Sequence, residues 1–135
     1  MSSGSGSACE GRLVFCISVV DDDVSIRRSM MRLLHSHGYE CTAYDSAESA
    51  LADSSLLKAD CLLIDIELCG MNGFKLRDRL RTLRPQLPHI FITAHSDASF
   101  PSLTQTAGDS LCLTKPVDEN LLIASICEIT QGVGC

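Results

Sequence analysis

Short apolar runs alternate with amphipathic stretches along this chain, and this alternation limits its fold more than any other feature. The runs contain four to eight residues, which is the length of buried β-strands. They span 13–20, 40–44, 61–64, 89–93 and 110–113. Strands that alternate with helices indicate a parallel sheet covered by helices on both faces. We therefore predict an α/β fold, with a doubly wound, five-stranded parallel sheet and the order β-α repeated five times.

The five predicted helices differ in the strength of their apolar periodicity. Three have regular helical spacing and cover 26–34, 76–83 and 122–129. Two weaker candidates cover 46–55 and 97–107, and Pro101 restricts the second to its first turn or kinks it. Gly38 and Gly108 stand where helix C-caps are expected.

The length of 135 residues corresponds to one domain. We expect residues 1–10 to be a disordered linker or tag, 11–131 to be the folded domain and 132–135 to be a C-terminal tail. The net charge of −6 argues against direct binding to nucleic acid, because phosphate binding needs a basic surface. The chain has neither a membrane-spanning apolar run nor a recognisable signal peptide, so we predict no membrane association and a cytoplasmic location.

Eight cysteines are scattered along the chain, at 9, 16, 41, 61, 69, 112, 127 and 135. No pair has the Cys-x-x-Cys spacing of a zinc or redox motif, and several lie in apolar runs. We therefore predict reduced, mostly buried thiols, as is usual in the cytosol.

Polar side chains follow four of the predicted strands. In chain order they are Asp21–Asp23, Asp65, Thr93 and Lys115. The carboxyl ends of parallel strands meet at one edge of a sheet, where ligands bind. Carboxylates crowded there need a cation, and hard oxygen ligands suit Mg²⁺. An aspartate cluster alone would more often cap a helix, but the joint pattern predicts a site for Mg²⁺ and a phosphoryl group.

These motifs and their spacing resemble the receiver domain of bacterial two-component response regulators, the CheY-like family. The resemblance extends from about Val14 to Ile129. The matching segments are Val-Val-Asp-Asp-Asp (19–23), Leu-Leu-Ile-Asp (62–65), Met-Asn-Gly (71–73), Ile-Thr-Ala (92–94), Ala-Gly-Asp (107–109) and Lys-Pro (115–116). The resemblance implies the (βα)5 flavodoxin-like fold of that family, with 11–131 as the receiver domain.

The resemblance also implies a ligand set for Mg²⁺ or Mn²⁺. Asp21 and Asp22 match the acidic pair of the family, and the spacing from Arg27 favours Asp22 as the direct ligand, with Asp21 acting partly through water. Asp65 and the backbone carbonyl of Glu67 would complete the protein's ligands. Asp23 is then available to cap the first helix.

The remaining roles concern the phosphoryl group. Asp65 resembles the phosphoacceptor, Thr93 the switch hydroxyl and Lys115 the phosphate-binding lysine. Pro116 matches a proline whose preceding peptide bond is typically cis, and Gly73 matches a turn glycine at the start of the third helix.

The function implied is that of a phosphoacceptor rather than an enzyme. A sensor histidine kinase or phosphotransfer protein would donate the phosphoryl group to Asp65, and the domain would then switch conformation to control an output partner or domain. Catalysis would be limited to the domain's own phosphorylation and dephosphorylation. The face of the fourth helix, fifth strand and fifth helix is the expected surface for activation-linked association or a homodimer.

Four positions are expected to modulate this behaviour. Cys69 stands where the family usually has proline, which predicts a looser loop after the third strand. Cys112 replaces the usual aromatic residue, so the aromatic rotamer switch is missing. Glu67 and His95 flank the expected path of the water that hydrolyses the aspartyl phosphate.

Two alternative functions also have to be considered for this sequence. A binding module could keep the fold and signal without phosphorylation; the altered Cys112 favours this mildly, whereas the complete set of acidic, hydroxyl and lysine residues argues against it. A phosphatase of the haloacid dehalogenase type also forms an aspartyl phosphate. That class has Asp-x-Asp at its nucleophile, but this chain has Asp65-Ile66-Glu67 and lacks room for a cap over the substrate.

Overall fold

The computed structural model describes residues 14–94 and 111–131, and in these ranges five strands form one parallel sheet. The strands are β1 (Cys16–Val20), β2 (Glu40–Tyr44), β3 (Cys61–Asp65), β4 (His89–Thr93) and β5 (Leu111–Thr114). Their order across the sheet is β2-β1-β3-β4-β5. The predicted doubly wound sheet is therefore confirmed. β1 begins at residue 16 instead of 13, and β3 and β5 each end one residue later than predicted.

Helices connect these strands. The described ones are α1 (Val24–Ser36), α2 (Ala47–Ala52), α3 (Gly73–Leu83) and the C-terminal helix (Glu119–Gln131). The segment predicted as one helix over 46–55 is shorter, since α2 ends at Ala52 and a 3₁₀-helix follows at Ser54–Lys58. Asp53 stands between them and accepts the Ser55 N–H, which starts the new turn. The helix predicted at 97–107 lies outside the described residues.

Polar side chains and a glycine set the helix ends as local chemistry predicts. Asp23 caps α1 by accepting the N–H groups of Ser25 and Ile26 at 2.8 and 3.2 Å. Gly38 follows the end of α1 with φ of +87°, a left-handed conformation that favours glycine. Asp23 thus caps α1, as predicted, and it does not belong to the cluster of Asp21, Asp22 and Asp65.

Two apolar clusters cover the two faces of the sheet. β3 and β4 are buried along their whole length, because helices pack on both sides of them. One cluster joins the sheet to α2 and α3 through Leu62, Ile64, Phe91, Ala50 and Leu76. The other joins it to α1 and the C-terminal helix through Leu63, Ile90, Leu34, Leu122 and Ile126. None of the described helices is long and apolar enough to cross a membrane.

The described cysteines correct one expectation. Cys16, Cys41, Cys61, Cys69 and Cys112 are free thiols. Only Cys61 among these is buried, and Cys69 is exposed. Cys127, which is buried in the C-terminal helix, is disulfide-bonded. The prediction that all thiols are reduced and mostly buried was therefore wrong; scattered spacing does not exclude pairs that the fold brings together.

Candidate functional site

The sheet register brings the predicted site residues to one edge. Val20 at the end of β1 pairs with Ile64, one residue before Asp65. At the neighbouring strands, Thr93 pairs with Thr114, one residue before Lys115. All four polar sets therefore leave the sheet at its carboxyl edge, as predicted for a parallel sheet.

Three aspartates form an acidic cluster at this edge. One carboxylate oxygen from each of Asp21, Asp22 and Asp65 lies within 4.8 Å of the others. Asp21 and Asp65 are only 2% and 4% exposed, whereas Asp22 faces solvent. Three oxygen donors at this spacing, two of them almost removed from water, can bind a metal ion, and hard cations prefer this donor type.

Lys115 provides a cation inside the cluster. Its Nζ lies 3.2 Å from Oδ2 of Asp21 and 3.2 Å from Oδ2 of Asp65. Burial opposes the charge on this ammonium, but the two carboxylates outweigh burial and raise the pKa of Lys115. The Lys115–Pro116 peptide bond is cis, as the resemblance implied, and the Lys115 N–H donates to the Thr93 carbonyl at 2.7 Å.

The carboxyl group of Asp65 is less acidic than an ordinary aspartate. Burial and then the charge of Asp21 raise its pKa from 3.8 to about 6. A hydrogen bond from the Glu67 N–H at 3.0 Å and the charge of Lys115 oppose that increase without cancelling it. The site therefore holds more negative charge than its own cation neutralises, which is the electrostatic condition for binding another cation.

Glu67 joins the end of β3 to the end of β4. Its Oε2 accepts the Thr93 hydroxyl at 2.6 Å, and its Oε1 accepts the Ala94 N–H at 3.2 Å. Thr93 is 1% exposed, so this hydroxyl depends on a protein acceptor. The sequence placed Glu67 and Thr93 at one edge, but no motif indicated that they bind each other.

The loop after β3 is anchored by two acidic side chains. The Cys69 N–H donates to Asp22 Oδ2 at 3.3 Å, and the Met71 N–H donates to Glu48 Oε2 at 3.3 Å. These two bonds attach the loop to Asp22 and to α2, and Cys69, where the family usually has proline, supplies one of the N–H donors. Glu48 lies on α2, and sequence reasoning missed it because nothing local connects α2 with this loop.

Gly73 begins α3 directly against the end of β3, and its place at the start of this helix is as predicted. A Cβ at this position would lie 2.6 Å from the backbone oxygen of Asp65 and 3.0 Å from Ile66 Cα. Real Cβ atoms do not approach that closely, so only glycine allows α3 to start here. The absence of a side chain at Gly73 thus fixes the position of Asp65 relative to α3.

Two further predicted residues have different outcomes. Cys112 is half-buried on β5 and packs against the cluster that contains Phe91. Burial and then the nearby charge of Glu67 raise the pKa of its thiol. His95 lies outside the described residues, as does the fourth helix of the expected association face, whereas β5 and the C-terminal helix of that face are described.

Comparison with known proteins gives the class of this fold and site. A family model for the response regulator receiver domain matches residues 17–127, and the chain belongs to that family. It is thus a signalling domain of the two-component type, with the flavodoxin-like α/β fold of CheY-like receivers.

Individual relatives agree with this assignment. Nodulation protein W of Bradyrhizobium diazoefficiens is 31% identical over 128 residues, which cover 95% of this chain and 56% of that protein. The DNA-binding transcriptional regulator NtrC of Salmonella typhimurium is 36% identical over 108 residues, covering 80% and 23%. A solved CheY-like receiver domain from Methanospirillum hungatei matches with a TM-score of 0.78 and 28% identity, covering 89% of this chain and 96% of that one. The chain spans about half of nodulation protein W and about a quarter of NtrC.

Proposed function

We propose that this domain accepts a phosphoryl group on Asp65 from the phosphohistidine of a sensor histidine kinase or phosphotransfer protein. One observation carries the proposal: an almost buried Asp65 lies beside Asp21, and the ammonium of Lys115 contacts both carboxylates. A nucleophilic carboxylate next to a cation and further oxygen ligands is the arrangement that phosphoryl transfer requires.

Asp21, Asp22, Asp65 and the backbone carbonyl of Glu67 would hold Mg²⁺ or Mn²⁺. The bound ion would supply positive charge to the phosphoryl oxygens. The donor set supports this choice, because the three carboxylates offer only oxygen atoms at close spacing. Lys115 alone leaves the cluster with excess negative charge, so the residues fit a divalent cation.

The chain's own residues account for the transfer. A carboxylate oxygen of Asp65 attacks phosphorus and forms the O–P bond, while the P–N bond to the donor imidazole breaks. With its pKa at about 6, Asp65 is mainly ionised at neutral pH and therefore nucleophilic. Lys115 stabilises the developing negative charge, and the Thr93 hydroxyl can donate to a phosphoryl oxygen afterwards.

The conformational change that follows would control an output partner or an output domain. The whole-protein functions of the relatives include transcriptional regulation, but the part that they share with this chain is the receiver domain. The net charge of −6 supports an output through protein contacts rather than direct nucleic-acid binding.

Intact-mass spectrometry after incubation with acetyl phosphate and Mg²⁺ tests the proposal. We expect one phosphoryl adduct on the parent protein and none on Asp65→Asn. Asp60→Asn is the matched control, since Asp60 lies at the opposite end of β3 and should leave the adduct unchanged. An adduct that persists in Asp65→Asn would overturn the assignment. No adduct on the folded parent would instead favour a binding module that signals without phosphorylation.

A further inference from the structure

We propose that the Glu67 carboxylate competes with the phosphoryl group for the Thr93 hydroxyl and the Ala94 N–H, and so holds the domain in its unphosphorylated conformation. This inference rests on the proposed function, because it assigns to Glu67 the regulation of the same site. Glu67 is then a positioning residue that acts through Thr93.

The contacts on Glu67 use both of its carboxylate oxygens. Oε2 accepts the Thr93 hydroxyl at 2.6 Å, and Oε1 accepts the Ala94 N–H at 3.2 Å. One donor is a side chain and the other is the backbone of the next residue, so the carboxylate fixes the start of the loop after β4 at two points. Hydrogen bonds to a charged acceptor are stronger than neutral ones.

The two donors cannot serve two acceptors at once. A hydroxyl carries one proton and a backbone amide carries one, so each donates fully to a single partner. A phosphoryl group on Asp65 presents anionic oxygens, the same chemical type of acceptor as a carboxylate. Any bond from Thr93 to the phosphoryl group therefore has to replace its bond to Glu67.

The backbone around Glu67 allows this exchange without rearranging β3. The Glu67 N–H donates to Asp65 Oδ1 at 3.0 Å, and the Gly73 N–H donates to the Ile66 carbonyl at 3.1 Å. Both bonds hold the peptide group between Ile66 and Glu67, so the backbone is fixed immediately before the Glu67 side chain. Rotation of that side chain breaks its bonds to Thr93 and Ala94 without moving this peptide group, and solvent can then hydrate the displaced carboxylate.

The competition makes a directional prediction for the affinity of a phosphoryl mimic. BeF₃⁻ with Mg²⁺ is the probe, and isothermal titration calorimetry measures its binding. We expect Glu67→Ala to bind it about five- to tenfold more tightly than the parent, because a charge-assisted hydrogen bond no longer has to be broken. Glu67→Gln should fall between them, since its amide oxygen still accepts from one donor but carries no charge.

Two controls separate competition from simple loss of charge. Glu48→Ala removes another carboxylate that binds the loop after β3 but has no bond to Thr93 or Ala94, and it should leave the affinity almost unchanged. In a Thr93→Val background the hydroxyl is absent, so Glu67→Ala should lose most of its gain. An effect of charge alone would give the same gain in both backgrounds.

Amide hydrogen exchange of Ala94 provides a readout in the protein without ligand. Protection of this amide should be lower in Glu67→Ala than in the parent and should be partly restored in Glu67→Gln. Equal BeF₃⁻ affinity and equal Ala94 protection in parent and Glu67→Ala would overturn the competition while leaving the phosphoacceptor function intact. Failure of every folded variant, the parent included, to bind BeF₃⁻ would refute the proposed function and the competition together.

Discussion

The ammonium nitrogen of Lys115 is equidistant, at 3.2 Å, from Oδ2 of Asp65 and Oδ2 of Asp21. One cation thus serves two almost buried carboxylates, and Asp22 adds a third negative charge within 4.8 Å. Repulsion among these carboxylates therefore lowers the free energy of unfolding of the metal-free domain. This repulsion makes the stability of the domain depend on pH, on metal ions and on single side chains in ways that can be measured.

Asp65→Asn is expected to stabilise the metal-free protein at pH 7. The pKa of Asp65 rises from 3.8 to about 6 on folding, so its ionised form is less favourable in the folded state. Its unfavourable contribution grows as pH increases from about 4 to about 6 and is constant above that range. Two pKa units correspond to about 2 to 3 kcal/mol. Urea unfolding in EDTA should show this gain at pH 7 and almost none at pH 4.

The exposed Asp78 on α3 supplies the control for that experiment, because Asp78→Asn should not reproduce the pH-dependent gain. A parent protein as stable as Asp65→Asn at pH 7 would show that Asp65 carries no electrostatic cost.

Lys115→Met should destabilise the metal-free protein at pH 7 by about 1 to 2 kcal/mol. It leaves two buried carboxylates without their cation, and the usual cost of breaking a buried pair is reduced here because the lysine side chain is 20% exposed. The loss should shrink at pH 4, where Asp65 is protonated. Lys75→Met, at an exposed position on α3, is the matched control for urea unfolding. Equal losses in the two variants would contradict the role given to Lys115.

Mg²⁺ should raise the melting temperature of the parent but not of Asp22→Asn. A ligand that binds only the folded state stabilises it by mass action, and at ten times the dissociation constant the increase should be about 3 to 8 °C. Differential scanning calorimetry with and without Mg²⁺ measures it. Without metal, Asp22→Asn should be no less stable than the parent, since it relieves repulsion. An equal Mg²⁺ shift in both proteins would exclude Asp22 as a ligand.

Asp23→Ala should lower the stability of the metal-free protein but keep the Mg²⁺-dependent increase in melting temperature, which is the reverse of the result expected for Asp22→Asn. Asp23→Ala removes the cap that accepts two N–H groups at the start of α1, which costs about 1 kcal/mol. Its Mg²⁺-dependent increase in melting temperature should equal that of the parent, because Asp23 is outside the acidic cluster. Thermal melts of the two neighbouring variants therefore distinguish a structural aspartate from a metal-binding one. Loss of the Mg²⁺ effect in Asp23→Ala would contradict this division.

Sequence reasoning predicted the sheet well because strand length and burial are local properties. The central strands are mostly apolar, and β2 and β4 have the predicted bounds. It predicted the second helix less well: the signals over 46–55 are weak, and Asp53 starts a 3₁₀-helix by a local side-chain bond. The disulfide of Cys127 depends on tertiary approach, which residue spacing does not encode.

For the site, the sequence identified the residues at the strand ends but not the bonds among their side chains. The carboxyl ends of parallel strands meet at one edge of the sheet. This rule alone was sufficient to predict that the aspartates and Lys115 lie together. The bridge from Glu67 to Thr93 and the anchor from Glu48 to Met71 depend on side-chain reach across loops. Glu48 resembles an ordinary solvent-facing acid in the sequence. Glu67 was expected beside the site, but its bond to Thr93 was not predicted.

The bond from the Cys69 N–H to Asp22 joins two loops that are 47 residues apart in sequence. Proline, the residue expected at this position from the family resemblance, has no N–H and cannot make it. An ion that uses Asp22 as a ligand has to share that carboxylate with the Cys69 amide or displace it. If the acidic cluster binds a metal ion, we therefore expect the residue at position 69 to change the affinity for that ion through the Asp22 carboxylate.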